Sequence, residues 1–143
     1  MTLQVELVSP ERVAYSGEAK MVIARTTTGD IAFLDGHVPF IGVLQTWPVR
    51  VLHEDGNEDV IAVHQGFVEV SAHDAETPTR VTILSDVCEL ADTIDVERAK
   101  RAKDRAVHML AAQPDDEDAK AALARAEVRL EVAGVPKSGN SHP

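Results

Sequence analysis

Several things are scarce in this chain, and each scarcity excludes something. One cysteine in 143 residues, Cys88, allows no internal disulfide and suits a reducing, cytosolic compartment. Only three Phe, one Tyr and one Trp are present, so Val, Ile, Leu and Ala must fill any core. No apolar run approaches the roughly 20 residues that a bilayer-spanning helix needs, so direct membrane insertion is not expected. The N-terminus has no basic stretch followed by an apolar one and goes straight into a strand pattern, so neither a signal nor a transit peptide is expected. Basic residues are few where charge is dense. Residues 1–92 hold 5 Lys/Arg against 15 Asp/Glu, whereas residues 93–143 hold 9 of each. An acidic first section repels phosphate backbones, which excludes a nucleic-acid role and favours a basic protein partner.

The motifs of catalysis are missing too. There is no phosphate-binding Gly-x-x-x-x-Gly-Lys-Ser/Thr loop and no Gly-x-Gly-x-x-Gly. Ser16, Ser71 and Ser85 lie outside any Gly-x-Ser-x-Gly elbow. The six histidines include no pair at ligand spacing on a helix. His53, His64 and His73 could share a sheet face, but scattered strand histidines are more often structural than zinc ligands. Cys88 is followed by Glu89 and has no evident base, so it reads as inert. A non-catalytic protein is expected.

What is present is a change of period. Leu3, Val5 and Leu7 alternate with Gln4 and Glu6 as in a half-buried strand, and further short β-rich runs follow between turn signals. Glu54-Asp55-Gly56-Asn57 tips a hairpin, and residues 67–72 and 79–84 form another strand pair across an acidic loop, 73–78. Gly29 to Ile41 reads as a hairpin turning at Asp35-Gly36, with Pro39 sending the chain on as strand. From Asp95 the spacing is helical. Val96, Ala99, Ala102, Ala106, Met109 and Leu110 make one stripe, and Ala119, Ala122, Leu123, Ala126, Leu130 and Ala133 make a second. Thr93 or Asp95 can cap the first helix, Pro114 ends it, and Gly134 with Pro136 stops the second. The fold class is therefore α+β: an N-terminal β-sandwich or flattened barrel over 1–88, an antiparallel two-helix hairpin over 89–134 and a flexible tail over 135–143. Alanine stripes bury little area, so the hairpin should be marginal alone and easily detached.

Five stretches in order carry a resemblance. They are Val8-Ser9-Pro10-Glu11 with Tyr15-Ser16-Gly17, Gly29 to Ile41, Gly66-Phe67-Val68-Glu69-Val70, Val81 to Asp86, and Ile94-Asp95-Val96-Glu97-Arg98-Ala99. Together they resemble the epsilon subunit of rotary proton-translocating ATP synthases of the bacterial type, over nearly the whole chain. The resemblance implies a non-catalytic central-stalk subunit on the cytoplasmic face of the bacterial cell membrane. Its implied partners are the gamma subunit, the membrane ring and the alpha and beta subunits of the catalytic head. It implies that the sandwich couples rotation to catalysis, and that the hairpin regulates ATP hydrolysis by moving between folded-down and extended forms. In the extended form, Lys120, Arg125 and Arg129 would meet an acidic loop of the catalytic subunits.

Two sets of site residues follow from it. Asp30 and His37 would lie near the polar loops of the ring; the alternatives are a solvated turn carboxylate and a structural hydrogen bond. Ile94, Asp95, Arg98 and Ala99 match a nucleotide motif, with Glu89 upstream and Arg105 two turns beyond Arg98 on the same helix face. Arg125 and Arg129 could complete a cluster about the triphosphate of ATP, a regulatory ligand and the sole small molecule implied. On that reading Glu89 and Asp95 sit toward ribose and base. The alternative makes Asp95 a helix cap and the arginines surface partners of Glu97, Asp104 and Glu127. The rival function is a stand-alone ATP-sensing module with the helices as a lid.

Overall fold

The computed structural model describes residues 2–71 and 73–134; the tail expected at 135–143 lies outside them. Ten strands form one continuous sheet folded into two facing layers. They are β1 (Leu3–Ser9), β2 (Arg12–Ala19), β3 (Met21–Thr26), β4 (Gly29–Leu34), β5 (Phe40–Leu44), β6 (Trp47–Leu52), β7 (Glu58–Val63), β8 (Gly66–Val70), β9 (Arg80–Leu84) and β10 (Cys88–Leu90). The order is β10-β7-β6-β3-β5-β8-β9-β1-β2, with β4 beside β3. All pairs are antiparallel except β1 with β9. Inward positions alternate along the strands as a half-buried sheet requires. Leu3, Val5 and Leu7 of β1 meet Val22, Phe33, Val49, Val51, Ile61, Val68 and Ile83 in a core with a single fully buried aromatic, Phe33.

The stretch from Gly29 to Ile41 is not a hairpin. β4 pairs with β3 from Gly29 to Leu34, whereas β5 pairs with β8 and touches β3 only at Thr26 opposite Leu44. Residues 35–39 turn the chain from one layer to the other. Gly36 (φ 90°) donates its N–H to Thr79 Oγ1 at 2.8 Å, and Pro39 has no N–H to pair across such a hairpin. The Asp-Gly turn was legible, but its strands had different partners.

Strand β10 continues the sheet past position 88, pairing Glu89 with Ala62 of β7. A 3-10 turn (Ala91–Thr93) then leads to α1 (Val96–Ala112) and α2 (Glu117–Gly134). Asp95 caps α1, accepting the Arg98 N–H at 3.0 Å, while Thr93 Oγ1 donates to the Leu90 carbonyl instead. Asp116 accepts the Ala119 N–H at the start of α2. The helices are antiparallel neighbours, and α2 lies against β6, β7 and β10. Consequently α1 buries only Ala99 and Ala106, and Val96 and Met109 of the expected stripe are exposed. Helix α2 buries two faces: Ala119 and Ala126, and also Val128 and Val132, which no single stripe contained.

The β7–β8 corner is the tightest place in the sandwich. Gly66 has φ 154°, and a Cβ there would stand 2.1 Å from the Leu84 carbonyl oxygen. Gly66→Ala should lower the unfolding free energy by about 2–3 kcal/mol, because backbone strain and a clash with main chain add. Gly56→Ala, with φ 87° and open space, should cost about 1 kcal/mol. Urea titration of the two variants checks the ranking.

Candidate functional site

The groove between the helices and the end of the sheet gathers six of the eight expected nucleotide-site residues by their side chains. Glu89 of β10, Asp95, Arg98 and Arg105 of α1 and its cap, and Arg125 and Arg129 of α2 line a cavity of about 680 Å³. Ala99 lines it too, as part of the helix–helix contact, where it is 2% exposed. Ile94 does not. It is buried with Ala62, Val128 and Val132, where it pins the start of the hairpin to the sheet.

The four arginines have different surroundings. Arg129 is engaged: its Nε donates to Glu89 Oε1 at 2.7 Å, and the same oxygen accepts from His64 Nε2 at 2.7 Å. Glu89 and Arg129, expected at opposite ends of a ligand, therefore hold each other. The hydrogen bond from His64, and then that from Arg129, keep the Glu89 carboxyl below its ordinary 4.5, against burial, which pushes it up. Arg98, Arg105 and Arg125 have no carboxylate partner among the described residues, and the alternative pairs with Glu97, Asp104 and Glu127 do not form; Glu97 instead meets Lys100 at 3.5 Å. Three free guanidiniums facing one groove can bind a polyanion, since their planar forks match phosphate oxygens and stay charged. Asp95, Asp116 and Asp118 at its edges would repel phosphate and confine it.

The second expected set lies elsewhere. Asp30 is exposed but not free: Arg25 Nε donates to Oδ1 at 2.7 Å and Nη2 to Oδ2 at 3.3 Å. Arg25 in turn lies 3.5 Å from the centre of the Trp47 ring. His37 is held structurally, with Nδ1 donating to the Val38 carbonyl at 2.7 Å and its ring edge against Phe33 and Phe40. The three sheet histidines do not share a face. His53 joins Tyr15 and Asp59, with Tyr15 Oη donating to Asp59 at 2.7 Å; burial, then that hydrogen bond, pushes the phenol upward. His64 is buried beside Glu89, and His73 is exposed in the acidic loop. His64 is the member of the site that sequence reading missed, for it stands 25 residues from Glu89 in no shared motif.

The fold and groove define a two-part chain, a β-sandwich domain followed by a long-helix domain. Residues 2–91 match the family model for the ATP synthase delta/epsilon chain β-sandwich domain, and residues 92–134 match that for its long α-helix domain. The chain belongs to the ATP synthase delta/epsilon family. Curated relatives are named ATP synthase epsilon chain. That of Streptomyces griseus is 43% identical over 133 residues, covering 93% of this chain and 96% of the relative. That of Shouchella clausii is 38% identical, covering 92% and 95%. Among solved structures, a chain of the Euglena gracilis mitochondrial ATP synthase (OSCP/F1/c-ring, rotational state 1) superposes with TM-score 0.65 at 22% identity, covering 92% of this chain and 77% of that one, which shows the shared fold.

Among the described residues no helix is long and apolar enough to cross a membrane. The pH dependence of hairpin docking follows from Glu89. His64 belongs to the sandwich and keeps its hold on the carboxyl when the hairpin leaves, so only the share due to Arg129 is linked to docking; it is present while Glu89 is ionised and is lost as pH falls and the carboxyl is protonated. Its facing charged and titratable partners are Arg129 on α2 and His64 after β7. Trp47, the single tryptophan, shares a groove with Leu123, Val128 and Glu131 of α2. Acidification that protonates Glu89 should therefore shift its emission red, and Glu89→Gln should remove that pH-dependent step.

Proposed function

We propose that this chain is the non-catalytic epsilon subunit of a bacterial ATP synthase rotor, peripheral on the cytoplasmic face of the cell membrane. In this reading the sandwich joins the gamma subunit to the membrane ring and couples proton flow to ATP synthesis, while the hairpin restrains ATP hydrolysis when extended toward the alpha and beta subunits. ATP in the helix groove holds the hairpin down without being hydrolysed.

The observation that carries the regulatory part is the way the hairpin is held. It meets the sandwich through a small cluster (Ala62, Ile94, Val128 and Val132) and the Glu89–Arg129 pair. Two buried valines contribute about 1.5–3 kcal/mol each, so docking is a weak equilibrium that a ligand or partner can shift. The rotor part is supported by a row on the outer face of the sandwich. Val43, Phe67, Leu84, Val8 and Val13 stand opposite one another on β5, β8, β9, β1 and β2, and Phe67 (55% exposed) and Val13 (52%) show the most surface. An apolar band of this kind on an otherwise acidic sandwich suits a protein partner such as gamma. In this reading Asp30, acting with Arg25 as a neutral pair, and His37, beyond the other end of β4, contact the ring separately.

Two experiments test this. Titration of the isolated chain with ATP should saturate, and Arg98→Ala, Arg105→Ala and Arg125→Ala should each weaken binding about tenfold, the loss of one charged hydrogen bond of about 1.4 kcal/mol. Absence of saturable binding at millimolar ATP, or variants that bind as wild type does, would overturn the nucleotide site. Truncation after Leu90 should raise ATP hydrolysis by the assembled enzyme severalfold; unchanged hydrolysis would reject inhibition by the hairpin.

A further inference from the structure

His64 is costly to the sandwich. Its side chain is 4% exposed, more deeply buried than Glu89 (22%) or Arg129 (28%). Its Nδ1 is buried with no hydrogen-bond partner, so the ring serves a single visible purpose, the Nε2–H bond to Glu89 at 2.7 Å. A buried polar atom left orphaned costs free energy, and an apolar residue would suit a plain corner better. The backbone around it is equally constrained. The His64 N–H donates to the Val87 carbonyl at 3.2 Å. Gln65, which follows, has φ 61°, the sole non-glycine residue with positive φ among those described. Ser85 Oγ–H holds that conformation by donating to the Gln65 carbonyl at 2.6 Å. Strain of this kind persists where the surroundings over-determine it, and it commonly marks a place where one side chain must be aimed.

The aim is at Glu89 Oε1. Strand β10 is three residues long, and at Glu89 it presents a carboxylate that is free to rotate unless something fixes it. His64 fixes it from the sandwich side, and Arg129 reaches the same oxygen from α2. We propose that His64 is the positioning residue of a catch: it presets the Glu89 carboxylate for Arg129 and thereby sets how readily the hairpin leaves the sandwich. The proposal rests on hairpin release being the regulated event, yet it concerns docking itself and is read without the catalytic head. A failure of inhibition appears in hydrolysis, and a failure of the catch appears in docking, so the two are distinguishable.

Amide hydrogen exchange on the full chain tests it, comparing Val128 and Val132 in α2 with Val81 and Ile83 in β9. His64→Ala should speed exchange at the α2 pair at least about tenfold, a shift of about 1.4 kcal/mol in the opening equilibrium, and leave the β9 pair unchanged. His64→Gln, which keeps a side-chain N–H donor, should restore most of the protection. Arg129→Ala should also speed α2, and adding His64→Ala to it should speed α2 no further. Additive effects, equal acceleration in β9, or a Gln variant no better than Ala would each overturn the catch. If His64→Ala does not fold, His64→Gln and Glu89→Gln decide: the Glu89 variant should release α2 with β9 intact and the His64 variant should not, and any other result rejects the proposal.

Discussion

Everything that distinguishes this chain from a plain β-sandwich depends on one contact, that of α2 with the end of the sheet. Val128 and Val132 fill the space beside Ala62 and Ile94, and Arg129, between them in sequence, pairs with Glu89. Helix α1 packs chiefly on α2, so it is held at second hand. The groove lies mostly within the hairpin, with Arg98 and Arg105 from α1 and Arg125 and Arg129 from α2, and the contact adds Glu89 from the sheet to its wall. A ligand that binds only the assembled groove stabilises the docked form by mass action.

The charge distribution follows the same division of labour. The sandwich places its acidic residues outward and neutralises several within itself: Arg25 with Asp30, Arg50 with Glu58, and Arg80 with Glu6 at 3.8 Å. Exposed pairs of this kind are worth little individually. Their effect is to leave few free cations on the sandwich, whereas Arg98, Arg105 and Arg125 are left open in the helical groove. An anion would meet unpaired guanidiniums in the hairpin groove. The sandwich offers partners its apolar band and its acidic surface.

How much of this the sequence could disclose depended on the range of each interaction. Period-two alternation placed β1, the polar tip Glu54-Asp55-Gly56-Asn57 placed the β6–β7 hairpin, and helical spacing with Asp95, Pro114 and Gly134 placed both helices, because those signals are local. Arg98 and Arg105, seven residues apart on one helix, were legible as neighbours in the groove. Pairing between distant strands was not: Gly29 to Ile41 carried a true turn signal, but only the tertiary fold sends β5 to β8 instead of β4. Val128 and Val132 fell off the helix stripe because α2 packs on two surfaces at once, and a single-stripe reading assumes one. The pairing of Glu89 with Arg129, 40 residues away, and with His64 has no local signature. Family likeness brought Glu89 and Arg129 to the same region but implied a ligand between them, where the structure has an ion pair.

The central claim is that the hairpin is a separable body held by one small contact. The direct measurement is the distance across the groove between Thr46 and Lys120, from spin labels on cysteines placed there in a Cys88→Ala background, followed as urea rises. The account predicts two populations, the docked distance giving way to a longer one while the β-sheet signal in circular dichroism is still native. A single docked distance that persists until the sheet itself melts would contradict it.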